Sequence, residues 1–243
     1  VFNSTTSYAY SDTVNASSRN QFYSNTISNV YNGIYFSGYS SSISTYDQGN
    51  IFGRTGYGNS ITNFGGSSTI CYANYISAQH KFIFEGNTIN GGNGSTSTMY
   101  GIYTINGTNA SIRIADNTIT LTPIAASSTT AVTGTSYGLI NQIGSSGTNN
   151  NIEITDNRVM NCSFANTTSG SFYGIYNAAS GYNVKVERNR VMDNTFGSTS
   201  ITNTGTHYYF YYSATNTTTG SISSLSDNIV KGNVRLVSGT GAG

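Results

Sequence analysis

Charged residues are scarce in this sequence, and their scarcity excludes several classes of protein. Only 8% of the 243 residues are charged, and the formal net charge is +1. Nucleic-acid binding needs a clustered basic surface that displaces counterions, whereas the Lys and Arg residues here are scattered. We therefore expect no nucleic-acid partner.

Long apolar runs are also missing. No segment approaches the roughly 20 apolar residues of a membrane-spanning helix, so we expect no membrane span. No signal peptide is visible. The abrupt start at Val1 favours a mature or excised segment. Repeat folds need capped ends and the sequence shows no amphipathic capping helix, so we expect the segment to be part of a longer chain or capped by a partner.

Cysteine is nearly absent. Cys71 and Cys162 lie far apart and fit no metal-ligand or redox spacing, so we expect no metal site and no cofactor. The simplest interpretation makes them small, partly buried apolar residues, and a disulfide between them is the alternative.

The residues that are abundant point to β structure. The chain holds 20 Tyr and 11 Phe with a near-neutral charge, whereas disordered chains usually combine high net charge with few aromatics. Ser, Thr, Asn and Gly dominate from end to end, which favours an exported bacterial protein, secreted or on the cell surface. We expect one domain over residues 1–237 and a flexible tail or linker over 238–243.

Two motifs recur in phase. The first has the form Gly-apolar-aromatic, and its central apolar residue returns at Ile102, Leu139, Ile175 and Phe210, in steps of 37, 36 and 35 residues. An earlier copy contains Ile34, and a poor one is expected around 70–72. The second motif is an Asn two residues before an apolar residue, at Asn25, Asn50, Asn87, Asn117, Asn157, Asn189 and Asn228. Alternating segments such as Ile112-Arg113-Ile114 precede several copies, which is a strand signal.

These repeats predict a right-handed parallel β-helix of about six to seven coils with three short strands per coil. A single coil cannot bury its own apolar face, but stacked coils place Ile114 over Ile154 over Val186. The corner asparagines are predicted to adopt a bridge or left-handed backbone conformation. Their amides are expected to form a ladder through Asn87, Asn117, Asn157, Asn189 and Asn228.

The segments Gly101–Ile105 and Ile112–Ile119 resemble the parallel β-helix repeat of pectate-lyase-like proteins, of carbohydrate-binding and sugar-hydrolysing domains and of bacterial surface proteins. The resemblance covers about residues 20–235. It implies the fold, and it leaves the activity open because this fold hosts many functions.

Tyrosines form the most suggestive candidate site. With Ile102, Leu139 and Ile175 inward, the next residue should face outward, which gives a column of Tyr35, Tyr103, Ile140, Tyr176 and Tyr211. The preceding residues, Gly33, Gly101, Gly138 and Gly174, are expected to form a glycine floor beside the column. Such a strip could stack sugar rings or pack on another protein. The alternative is an aromatic ladder that only stabilises the sheet.

The charged residues are weaker candidates for a functional site than the tyrosines. Arg113, Glu153 and Lys185 should share one outward position as surface pairs. Asp116 and Asp156 precede ladder asparagines and are the one place where an acid pair or a Ca²⁺ site is conceivable, with Arg158 and Arg190 as compensating neighbours. The two histidines, His80 and His207, have no nucleophile in a phase-related position.

The leading hypothesis is a non-catalytic, rod-like segment of a secreted or cell-surface protein, structural or adhesive, with glycan binding at the tyrosines. One alternative is a polysaccharide lyase or glycoside hydrolase that uses the Asp116 and Asp156 corner. Another is a secretion cargo or structural subunit that binds a protein partner. We predict no catalytic residues, and whether the protein is an enzyme stays open.

Overall fold

The computed structural model describes residues 17–40, 42–66, 68–123, 131–165, 167–198, 203–215 and 218–236, and every regular element in these ranges is a β-strand. The strands are β1 Gln21–Phe22, β2 Thr26–Val30, β3 Ile34–Ser37, β4 Asp47–Gln48, β5 Ile51–Phe52, β6 Ser60–Phe64, β7 Cys71–Ser77, β8 Gln79–His80, β9 Phe82–Glu85, β10 Thr88–Gly91, β11 Met99–Ile105, β12 Ile112–Ala115, β13 Thr118–Leu121, β14 Ser136–Asn141, β15 Asn151–Thr155, β16 Arg158–Met160, β17 Ser163–Phe164, β18 Phe172–Asn177, β19 Asn183–Glu187, β20 Arg190–Met192, β21 Thr195–Phe196, β22 His207–Tyr212, β23 Ile222–Ser226, β24 Ile229–Lys231 and β25 Val234–Arg235.

Three parallel sheets run the length of the molecule. Sheet A has the order β1-β5-β9-β12-β15-β19-β23, sheet B the order β2-β6-β10-β13-β16-β20-β24, and sheet C the order β22-β18-β14-β11-β7-β3. Each coil gives one strand to each sheet in turn, so about seven rungs stack along one axis. Two smaller sheets, β17-β21-β25 and β4-β8, add further short strands. The predicted parallel β-helix is confirmed.

The register follows the predicted repeat. Ile114 pairs with Ile154, and Ile154 pairs with Val186. All three side chains are buried, and the burial of each contributes ~1.5–3 kcal/mol to the stability of the fold. One copy was placed wrongly, because Asn74, rather than a residue of 70–72, pairs with both Ile34 and Ile102.

The predicted asparagine ladder is confirmed. Each Nδ2 donates to the Oδ1 of the next rung, from Asn87 to Asn117 at 3.0 Å, Asn117 to Asn157 at 2.9 Å, Asn157 to Asn189 at 3.0 Å and Asn189 to Asn228 at 3.1 Å. Asn59 and Asn25 extend it toward the first rung. Asn50 does not belong to this ladder, because it precedes a strand of sheet A, whereas the ladder asparagines precede strands of sheet B. Its side chain is hydrogen-bonded to Asn20 and Gln79.

Of the two backbone conformations predicted for the ladder asparagines, the left-handed one was assigned one residue too late. The left-handed conformation belongs to the residue before each Asn, with φ of +54° at Asp116, +59° at Asp156, +54° at Arg188 and +56° at Asp227. Asp tolerates this region better than most residues. The turn is therefore made outside the core, and the Asn amide points inward, where its donors and acceptors are satisfied.

The glycine floor was also predicted wrongly. Gly101 and Ile102 are consecutive buried residues of β11, so Gly101 faces inward and Tyr100 faces outward. A Cβ on Gly101 would lie 2.5 Å from the Gly138 carbonyl oxygen and 2.9 Å from Ile119 Cγ2. Gly33, Gly138 and Gly174 are crowded in the same way. These glycines let sheet C approach sheet B.

The cysteines are free and buried, which confirms the apolar interpretation over the disulfide. Residues 1–16 and 237 of the predicted domain, and the predicted tail 238–243, lie outside the described residues. No helix in the described ranges is long and apolar enough to cross a membrane.

Candidate functional site: the tyrosine face of sheet C

Sheet C carries two parallel columns of outward side chains, which we call the tyrosine face. The first column is Tyr72, Tyr100, Tyr137, Tyr173 and Tyr208, and the second is Tyr35, Tyr75, Tyr103, Ile140, Tyr176 and Tyr211. The predicted residues Tyr35, Tyr103, Tyr176 and Tyr211 thus lie in one column, as expected. The first column was missed because the outward position was assigned to the glycines, and Tyr75 was missed because Asn74 takes the place of the central apolar residue in that copy.

The first column is a regular stack. Its successive ring centroids are 5.0, 4.9, 5.0 and 5.0 Å apart, from Tyr72 to Tyr208. The rings are near-parallel, with interplanar angles of 13°, 3°, 16° and 26°. Each inner ring therefore covers the faces of its neighbours, and the ring edges with their hydroxyls remain to face outward.

The second column is less regular. Tyr35 and Tyr75 stack at 4.4 Å, but Tyr75 and Tyr103 meet edge to face at 5.6 Å, and Ile140 interrupts the series. Tyr176 and Tyr211 also meet edge to face, at 4.8 Å. Some ring faces in this column are consequently turned away from the stacking direction. Exposure is greatest at the first rung, where Tyr35 is 55% exposed.

The hydroxyls of the two columns differ in their partners. In the second column, Tyr103 donates to Gln142 Oε1 at 3.3 Å and Tyr176 accepts from Ser213 Oγ at 3.2 Å. In the first column, none of the five hydroxyls is paired with a residue that the structure describes. Burial raises the pKa of the half-buried tyrosines, to about 12 for Tyr103 and likewise upward for Tyr137. These hydroxyls stay protonated, and each is both a donor and an acceptor.

The face carries no formal charge. The six strands of sheet C contain no Asp, Glu, Lys or Arg. Their single imidazole, His207, has its pKa lowered to about 4, first by burial and then by the Arg235 charge. The histidine is therefore neutral at neutral pH, and the tyrosine face is a polar but uncharged surface.

The corner that contains Asp116 and Asp156 gives weaker support for catalysis or metal binding than the tyrosine face gives for ligand binding. Arg188, rather than Arg158 or Arg190, compensates Asp156, through bonds of 2.9 Å to Oδ1 and 2.8 Å to Oδ2. This pairing lowers the pKa of Asp156, which suits an ion pair better than a general acid. Asp116 contacts Thr55 Oγ1 at 3.4 Å. In the part of the chain that the structure describes, no three His, Cys, Asp or Glu side chains are grouped to hold a metal ion.

The charged side chains of sheet A include two ion pairs. Arg113 bridges Glu85 and Glu153, with both nitrogen–oxygen distances at 3.0 Å. Lys185 lies in register with Glu153 as predicted. His80 Nδ1 accepts a hydrogen bond from the Ser111 backbone N–H, and the buried His207 Nε2 has no partner among the described residues. Within the same residues, neither histidine is hydrogen-bonded to a nucleophilic side chain.

Comparison of the chain with protein-family models, with curated proteins and with solved structures finds no match. The parallel β-helix is thus established by the strand register alone.

Proposed function

We propose that this chain is a non-catalytic, rod-like segment of a secreted or bacterial cell-surface protein and that its tyrosine face binds glycan. The observation that supports the proposal most is the first column, five stacked tyrosines whose hydroxyls have no partner among the described residues. Such a surface offers aromatic carbon and hydrogen-bonding groups together, and a sugar presents C–H groups and hydroxyls that complement both.

The scaffold favours binding because it holds the hydroxyls in place beforehand. Every strand of sheet C is hydrogen-bonded to at least one neighbour in register, and the inward residues Ile102, Leu139 and Ile175 are fully or almost fully buried. The rings also restrain one another by stacking. A preorganised surface loses little conformational entropy on binding, so more of the contact energy appears as affinity.

A Tyr103→Ala and Tyr176→Ala double variant tests the proposal. After a glycan array on the purified protein identifies a ligand, we expect the double variant to weaken its binding by about tenfold or more, since two aromatic contacts are lost. A Tyr103→Phe and Tyr176→Phe variant keeps the rings and reports on the hydroxyls alone. Titration calorimetry measures both.

Tyr57→Ala is the matched control. Tyr57 is 53% exposed and packs on the Arg54 guanidinium, away from sheet C, so its loss should leave glycan affinity unchanged. An array without any bound glycan would refute the proposal and would favour a structural subunit or a cargo that binds protein through the same face.

A further inference from the structure

We propose that the ligand of the tyrosine face is an uncharged, extended polymer of β-1,4-linked pyranoses that lies parallel to the rod axis, one sugar per rung. The inference rests on the proposed glycan binding and adds the ligand's class and orientation. The constant spacing of the first column carries it.

The spacing of the tyrosine rings favours a β-1,4 over an α-1,4 glycosidic linkage. Neighbouring rings of the first column are 4.9–5.0 Å apart over five rungs, as expected for strands about 4.8 Å apart. In a β-1,4-linked chain of pyranoses with an equatorial O4, such as glucose, both linkage bonds are equatorial and keep the sugars in line, and each sugar advances by nearly this distance. An α-1,4-linked chain curls and would leave the column after a few sugars.

The hydroxyls supply a repeating contact. Tyr100, Tyr137 and Tyr173 are partly exposed, and no described group is bonded to their hydroxyls. One sugar hydroxyl per rung can therefore donate to or accept from one tyrosine. Each sugar of an extended β-1,4-linked chain is turned over relative to the one before it, so the same sugar hydroxyl returns on every second rung and a hydroxyl from the opposite ring edge lies on the rung between. Because every rung still adds one contact, the affinity depends on the number of sugars, up to the number of rungs in the column.

The absence of charge on the six strands selects an uncharged ligand. A polymer with a carboxylate or sulfate on each sugar would lose hydration along the face and find no cation there in return. Glucose and N-acetylglucosamine polymers both satisfy the linkage and the charge, and they differ only in the substituent at one ring position.

Binding of a length series tests the inference. Calorimetric titration with β-1,4-linked glucose and N-acetylglucosamine oligosaccharides, from disaccharide to hexasaccharide, should show the affinity of at least one series rising by about two- to tenfold per sugar. The rise should stop near the pentasaccharide. The matched α-1,4-linked glucose series should show no such rise.

Tyr137→Phe removes one hydroxyl from the middle of the column and keeps the stack. It should weaken pentasaccharide binding by about two- to tenfold while leaving disaccharide binding nearly unchanged. Length-independent binding, or an equal rise for the α-linked series, would overturn the inference and leave glycan binding intact. If the array and both series show no binding, the proposed function fails as well.

Discussion

Asn157→Ala should lower the free energy of unfolding by about 3 kcal/mol or more, because it leaves several buried polar groups without partners. Asn157 Oδ1 accepts from both the backbone N–H and the Nδ2 of Asn117, and its Nδ2 donates to the Ile114 carbonyl and to Asn189 Oδ1. The side chain is fully buried, so water cannot replace these bonds without entering the core. Urea denaturation measures the loss.

Asn151→Ala is the matched control. Asn151 also bonds an Asn one rung away, since Asn183 Nδ2 donates to its Oδ1 at 2.9 Å, but it is exposed. Its loss should change stability by no more than ~0.5 kcal/mol. Similar losses for the two variants would show that the buried ladder contributes nothing beyond an ordinary surface pair.

Gly138→Val should destabilise the protein by about 3 kcal/mol, at the upper end of the usual cost of overpacking. A Cβ at this position would lie 2.6 Å from the Gly174 carbonyl oxygen and 2.8 Å from Val159 Cγ1. The Gly174 oxygen is backbone held in sheet C and Val159 belongs to β16 of sheet B, so relief requires the two sheets to separate locally. The same shift should disturb the stack of Tyr137 on Tyr173.

Ser60→Val places the same side chain on an outward position of sheet B and should leave stability within ~0.5 kcal/mol. Circular dichroism in the near ultraviolet reports on the tyrosine stack in both variants. An unchanged spectrum and an unchanged unfolding midpoint for Gly138→Val would mean that Gly138 does not face the core.

The repeat itself was readable from the sequence. Alternation such as Ile112-Arg113-Ile114 identifies which residues face inward. A recurrence of roughly 36 residues places equivalent residues of successive coils over one another. The ladder followed because a buried Asn carries both a donor and an acceptor, so each copy satisfies its neighbour. These features repeat in most copies, and their repetition makes them recognisable in the sequence.

Features that break the alternation were not readable. Two successive inward residues, Gly101 and Ile102, shift the outward position onto Tyr100, and a rule of strict alternation cannot anticipate that. The polar Asn74 at an apolar position of the core hid one copy of the repeat. The tyrosine before each glycine recurs as regularly as the residue after the central apolar position, so it was a usable signal for the first column.

The residue type before each ladder Asn was a usable signal for the left-handed backbone conformation. Gly86, Asp116, Asp156 and Asp227 all precede a ladder Asn and have positive φ. Gly and Asp are the types that such a backbone conformation favours. Arg188 at the same position has no such preference, but it pairs with Asp156 one rung away, so its side chain stabilises the corner instead.

Disulfide trapping tests the in-register stack most directly, since the tyrosine columns and the asparagine ladder both depend on it. Thr88 pairs with Thr118 on the outward face of sheet B, at about 4.8 Å between strands, which is within reach of a disulfide. Cys71 and Cys162 are buried, which raises the pKa of both thiols, so they should stay reduced. Oxidation of a Thr88→Cys and Thr118→Cys variant should therefore give one linked peptide pair by mass spectrometry. Thr88→Cys with Thr120→Cys, a diagonal pair at about 8 Å, should stay reduced, and cross-linking of the diagonal pair in place of the direct one would contradict the register.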